Sequence, residues 1–134
     1  MLHDEIIRKY IGSEYVYKGR SDGLDCYGLV WRIYKDIGID IPDFTFSDDV
    51  KDHIRDGHDD IMSLSKVFVK VDIPKVYDII AFVNHKGIVN HAGVFIGGGR
   101  FIHATKQAGV VCAKFHDKQW DKRMAGIYRH KELI

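Results

Sequence analysis

The spacing of apolar residues changes character near the middle of this chain. In residues 2–11, Ile6, Ile7 and Tyr10 fall on one side of a helical projection and predict a short amphipathic helix. Residues 12–23 contain Gly12, Gly19 and a Ser21-Asp22-Gly23 run, which is turn chemistry. From Cys26 onward, Leu29, Val30, Ile33, Tyr34 and Ile37 recur at helical spacing and Gly38 supplies a stop, so a second helix is predicted over 26–37. Ile41-Pro42-Asp43 reads as a loop, and one or two helices are expected between Ser47 and Lys66. After Pro74 the pattern becomes short runs of Val, Ile and Phe broken by glycine. Residues 78–83, 91–96, 100–104, 109–114 and 124–129 are the predicted strands. Gly97-Gly98-Gly99 is a tight turn that makes a hairpin of the second and third. Helices first and a meander of strands afterwards is an α+β order, in one domain over residues 1–134.

Composition narrows the function classes. The 46% hydrophobic and 12% aromatic content suits a folded domain. With 20 basic and 19 acidic residues the net charge is +1, and no basic stripe is present to neutralise phosphates, so nucleic acid is not an expected partner. The acidic residues Asp48, Asp49, Asp52, Asp56, Asp59 and Asp60 read as a solvated face, because the spacing and closing Glu of a calcium loop are missing. Charge appears within the first five residues and no long apolar core follows, unlike a secretory leader. No apolar run is long enough to span a bilayer. The expectation is therefore synthesis in the cytoplasm, no membrane insertion, and delivery by something other than an own leader.

Cys26 and Cys112 are the two cysteines. Cys112 sits in the apolar run Val110-Val111-Cys112-Ala113, where cysteine is usually a small buried hydrophobe. Cys26 follows a polar loop and falls in the first turn of a predicted helix, where unpaired N–H groups and the helix dipole favour a thiolate. A thiol nucleophile also needs a base. Of eight histidines, His3, His53, His58 and His130 lie in polar, charged or terminal contexts and are expected to be solvated. His91 opens one predicted strand and His103 lies on the next. Strand side chains alternate in facing, and positions 91 and 103 have the same parity, so a regular hairpin puts both imidazoles on one face. If the Cys26 helix packs on that face, thiol, base and orienter meet, with His103 fixing the tautomer of His91. Cys26, His85, His91 and His103 could be assembled into a metal site, but the short paired spacings of structural zinc are absent, so no metal or other cofactor is expected.

The same residues resemble a known signature. Tyr15-Val16-Tyr17-Lys18-Gly19 followed by Gly23-Leu24-Asp25-Cys26-Tyr27-Gly28-Leu29-Val30 is similar to the nucleophile motif of the NlpC-type cell-wall peptidases. Tyr77-Asp78-Ile79-Ile80 resembles that family's Gly-Asp-Leu-Val strand opening. His91-Ala92-Gly93-Val94-Phe95-Ile96-Gly97 resembles the strand of its catalytic base, and Ile102-His103-Ala104 its third catalytic position. The motifs come in family order over roughly residues 5–130.

The resemblance implies a papain-like fold, with N-terminal helices, the nucleophile helix among them, packed on a C-terminal antiparallel sheet. It implies hydrolysis of a stem-peptide amide of peptidoglycan, typically the bond from D-glutamate to a diamino acid. Cys26 would be nucleophile, His91 base, His103 orienter, and Tyr15 a candidate oxyanion donor. Asp25 would fix the helix start through backbone N–H groups and could help bind substrate. Tyr27 would reshape the substrate pocket beside the thiol.

Three positions depart from the family. Tyr27 stands where many cell-wall members have Ser, Lys18-Gly19 replaces two glycines, and Tyr77 replaces the glycine of the strand opening. An aromatic after the cysteine, and the closing segment 120–129, are similar to the phage-tail branch of the family. The expected partners are then the stem peptide and other tail-tip proteins, with the enzyme on a virion tail acting at the cell wall. A non-catalytic tail-assembly part, or an amidase or acyltransferase with the same nucleophile, are the alternatives.

Overall fold

Helix α1 (His3–Tyr10) and helix α2 (Cys26–Asp36) precede the strands in the computed structural model, which describes residues 3–44 and 64–134. Six strands follow: β1 (Phe68–Val71), β2 (Ile79–Val83), β3 (Val89–Gly97), β4 (Arg100–Thr105), β5 (Gly109–Lys114) and β6 (Met124–His130). A short helix α3 (Lys118–Asp121) lies between β5 and β6. The strands form one sheet in the order β1-β6-β2-β3-β4-β5, and every neighbouring pair is antiparallel. The α+β expectation holds, as does each strand predicted after Pro74. The helices expected between Ser47 and Lys66 lie almost wholly outside the described residues, as does the acidic run. Only residues 64–66 of that stretch are seen, and they are helical.

Local chemistry sets the ends of α2. Asp25 is its N-cap and accepts from the Gly28 N–H at 2.6 Å. At the other end Gly38 takes φ +81°, which a side chain disfavours. The Ile39 N–H then reaches Tyr34 O and the Gly38 N–H reaches Lys35 O, the paired bonds of a Schellman stop. The buried stripe Leu29, Val30, Ile33 and Tyr34 packs with Ala92, Val94, Ile96, Ile102 and Val110 of the sheet. Each such side chain contributes about 1.5–3 kcal/mol on burial.

The other face of the sheet carries a second apolar cluster, with Ile80, Phe82, Phe95, Phe101, Phe115 and Ile127 at its centre and Trp120 against it. A buried ion pair joins β6 to the start of β2: Arg129 Nε and Nη2 donate to Asp78 Oδ1 and Oδ2 at 2.9 and 2.7 Å. Asp78 also accepts from the Lys75 N–H, so its buried carboxylate is fully satisfied.

Two expectations need correction. Strand β1 was not predicted; it pairs with β6, and Phe68 lies opposite His130. His130 is consequently buried, 4% exposed, against the expectation that it is solvated. Its ring packs edge-on against Phe68, and Nδ1 accepts from the Glu132 N–H. A charged sequence neighbourhood said nothing of the strand that covers it.

Candidate active site

The loop before α2 is held by its own end. Val16 N–H donates to Leu24 O and Leu24 N–H to Glu14 O, which folds 14–24 back on itself. Asp25, 2% exposed, gathers the rest: Oδ1 accepts from Gly28 and from Arg20 Nη1 at 2.7 Å, and Oδ2 from the Lys18 N–H at 3.1 Å. Gly28 is needed at its place, because a Cβ there would lie 2.1 Å from Gly19 O. The carboxylate thus fixes loop and helix start together, and the next residue is Cys26.

On the sheet, His91 Nε2 and His103 Nδ1 are 2.7 Å apart. The β3–β4 ladder pairs Val94 with Ile102 and Phe95 with Phe101, so residue 103 is a diagonal neighbour of residue 91 on the same face. The irregularity falls later, between Phe95 and Gly97, where Gly97, Gly98 and Gly99 all take positive φ. The parity expected from the sequence therefore survives. If His103 accepts at Nδ1, His91 carries its proton on Nε2 and leaves Nδ1 as a proton acceptor.

Helix α2 does not pack on the face that bears the imidazoles, contrary to expectation. The even positions Ala92, Val94 and Ile102 meet the helix, while His91 and His103 stand among Phe82, Phe101 and Trp120. The thiol and the His91 ring still line one cleft, because Cys26 is the first residue of the helix and lies against the start of β3. There the β2–β3 register slips: His91 pairs with Phe82 and Val89 with Val83, leaving Asn90 as the extra residue. The Cys26 thiol faces Asn90 O at 3.9 Å.

The cleft measures about 300 Å³ and is walled by Tyr15, Tyr17, Asp25, Cys26, Asn90 and His91 on one side of its circuit. Ala104 and Thr105 at the end of β4, the turn residues Lys106 and Gln107, and Trp120 with Arg123 complete it. Tyr15 lines the same cleft as the thiol. Tyr27 is not brought to the cleft: it is 1% exposed, stacks on Phe44 at 4.2 Å and donates its hydroxyl to Pro42 O. As the second residue of α2 it turns into the core, so it cannot reshape a pocket beside the thiol by direct contact. Lys106, Trp120 and Arg123 were not picked out as site residues. A turn lysine and a short-helix tryptophan carry no motif, and only the fold takes them there.

Both partners are neutral at rest. Burial, and secondarily the Asp25 carboxylate, push the Cys26 thiol up to about 12 from 9.0. The helix terminus expected to lower it is outweighed by desolvation. Burial holds His91 down at about 3, helped by His103 and the Arg123 cation, and His103 at about 4. Trp120 stacks on His91 at 5.6 Å and 22° and closes the ring's outer side. Cys112 is partly exposed on β5, not the buried hydrophobe expected, and burial still raises its thiol. Among the described residues no group of three His, Cys, Asp or Glu is arranged to hold a metal ion.

Known proteins share this arrangement of sequence. The chain is 32% identical over 129 residues to the gamma-DL-glutamyl hydrolase of Bacillus subtilis, covering 93% of this chain and 28% of that protein. It is 25% identical over 108 residues to tail tip assembly protein K of Escherichia phage lambda, covering 80% of this chain and 54% of that one. Among solved structures, an NlpC/P60 family protein from Bacillus cereus superposes with TM-score 0.72 at 27% identity, over 97% of this chain and 40% of that one. The chain thus spans under a third of the hydrolase and about half of the tail protein. A family model matches residues 12–129, which takes in Tyr15, Asp25, Cys26, His91 and His103 alike, and the chain belongs to the NlpC/P60 family.

Proposed function

We propose that the chain is a cysteine endopeptidase that hydrolyses stem-peptide amides of peptidoglycan, favouring the bond from D-glutamate to a diamino acid. One observation carries the reading: a thiol at the head of α2 lines the same cleft as the His91 imidazole, which is itself hydrogen-bonded to His103. The name of the Bacillus subtilis relative supports a γ-glutamyl acyl group.

In this reading His91 Nδ1 takes the thiol proton as Cys26 Sγ attacks the amide carbonyl, so that proton transfer accompanies attack from a neutral pair. The oxyanion sits near the N-terminal turn of α2, with the Tyr15 hydroxyl of the same cleft as its candidate donor. The C–N bond then breaks, the His91 proton leaves with the amine, and a thioester remains on Cys26. Water adds with His91 again as base, the C–S bond breaks, and the thiol regains its proton. His103 accepts from His91 Nε2–H throughout and stabilises the imidazolium as it forms. Asp25 acts through the loop it holds. The name of the lambda relative supports a place on a phage tail among tail-tip proteins, and the same name favours the non-catalytic reading.

Incubation with purified cell wall separates the two. The wild-type protein should generate new free amines, and Cys26→Ala should not, with an unchanged thermal transition. Equal release by both would end the proposal.

A further inference from the structure

The cleft has cations that the reaction steps above leave unused. Asp25, its acidic wall, is already paired with Arg20 at 2.7 Å. The ion pairs among the described residues engage Lys9, Arg20, His116, Arg129 and His130, and neither Lys106 nor Arg123. Lys106 is an exposed ammonium on the β4–β5 turn. Arg123 is different in kind. It is partly buried, its Nε donates to Val83 O at 3.1 Å, and its guanidinium lies 5.2 Å over the Trp120 ring. Those contacts fix the plane and leave the Nη donors with no carboxylate among the described residues. A planar, pre-oriented guanidinium is the group best suited to a carboxylate.

We propose that Arg123 is a specificity-determining residue that binds a free carboxylate of the substrate peptide beside the scissile amide. The inference rests on the peptidase reading above. A γ-linked glutamyl residue uses its side-chain carboxyl in the amide, so its α-carboxylate stays free on the acyl side. A terminal diamino acid offers another on the leaving side. Trp120 touches both Arg123 and His91, stacked on the imidazole and under the guanidinium. The Arg123 charge is one of the causes that hold His91 unprotonated. A carboxylate docked on it would cancel that field at the moment His91 must accept the thiol proton. Recognition and activation would then be linked through one residue.

Binding measured without turnover tests this. The Cys26→Ala protein is titrated calorimetrically with L-Ala-γ-D-Glu-L-Lys, and with the same peptide amidated at the glutamyl α-carboxyl or at the lysine carboxyl. One amidation should weaken binding about tenfold to a hundredfold, the range of a charge-assisted hydrogen bond, and it identifies the side. Adding Arg123→Gln should abolish the difference, and Arg123→Lys should restore part of it, with thermal melts confirming that each variant folds. Equal binding of all three peptides, no binding of any, or a preference that persists in Arg123→Gln would overturn the inference. Acid-selective binding together with no hydrolysis by the wild type would overturn the peptidase reading and leave this one standing.

Discussion

Cys26 and His103 are buried and His91 is partly buried, all three as neutral groups, and that has a measurable consequence. Both imidazoles are held far below 6.5, so the unfolded chain binds protons there that the native state refuses. Their neutral burial is harmless above about pH 6.5, and stability is lost as pH falls from there through the folded values near 3 to 4. The thiol acts in the opposite direction. Its folded value near 12 against 9.0 means that the unfolded state ionises first, so stability falls as pH rises from 9 toward 12. Thermal melts should peak between about pH 6.5 and 9, and His103→Gln should flatten the acid side. An acid limb unchanged by that substitution would show that the rings are not buried neutral. For catalysis, His91→Ala should lower kcat by about 10²–10⁴-fold, the usual worth of a general base, measured as amine release from cell wall.

The two family glycines that this chain lacks also act at the residue scale. Lys18 takes φ +63° and Tyr77 φ +79°, the non-glycine residues with positive φ among those described. The backbone keeps a glycine conformation after the glycine has gone. An L-residue there costs about 1–2 kcal/mol. Lys18 is exposed, with its ammonium 5.7 Å from the Tyr17 ring, so Lys18→Gly should raise stability by about 0.5–1 kcal/mol, read by denaturant unfolding. Tyr77 is less free to change, since it packs against the main core.

Element by element, the sequence was most legible where period and punctuation agree. Apolar spacing and Gly38 delimit α2, and the structure ends it at Asp36 with a Schellman stop on that glycine. The three glycines at 97–99 gave the hairpin, and parity gave the shared face of His91 and His103, because the bulge lies at the turn and not between the rings. Facing relative to the helix was not legible. It depends on which side of the sheet α2 packs, and the apolar alternation of β3 has large residues on both sides. Asp25 belongs to this scale, since one carboxylate caps α2, anchors Lys18 and pairs with Arg20. Asp25→Ala should cost about 2–3 kcal/mol, beyond the roughly 1 kcal/mol of a lost cap, because the Lys18 N–H and Arg20 Nη1 also lose their acceptor, while Arg20 keeps its pair with Asp43. A loss of only the smaller size would mean that the loop holds itself.

Across the whole molecule the site is made by ends meeting. The head of α2, the bulged start of β3 and the residues around α3 reach one cleft from distant parts of the sequence. Motif spacing finds the first two, as Cys26 and His91 show. It misses Trp120 and Arg123, whose approach depends on β6 returning between β1 and β2. The Asp78–Arg129 pair ties that return to the start of β2, and Phe95 N–H bonds Asp78 O at 2.8 Å on the other side. Arg129→Met should lower the unfolding midpoint by leaving the buried Asp78 carboxylate without its cation. The double change to Asp78→Leu with Arg129→Met should recover much of that, seen as a restored unfolding midpoint. A double variant no better than the single one would place the pair's importance in something other than charge.

The central claim, that Cys26 and His91 work as one nucleophile and base, is tested most directly by thiol alkylation, site by site, in the folded protein. Small-reagent labelling at neutral pH, followed by peptide mass spectrometry, gives separate rates for Cys26 and Cys112. His91→Ala should slow labelling of Cys26 at least tenfold and leave Cys112 unchanged, since the base removed serves only one of them. A Cys26 rate that is the same with and without the imidazole would contradict it.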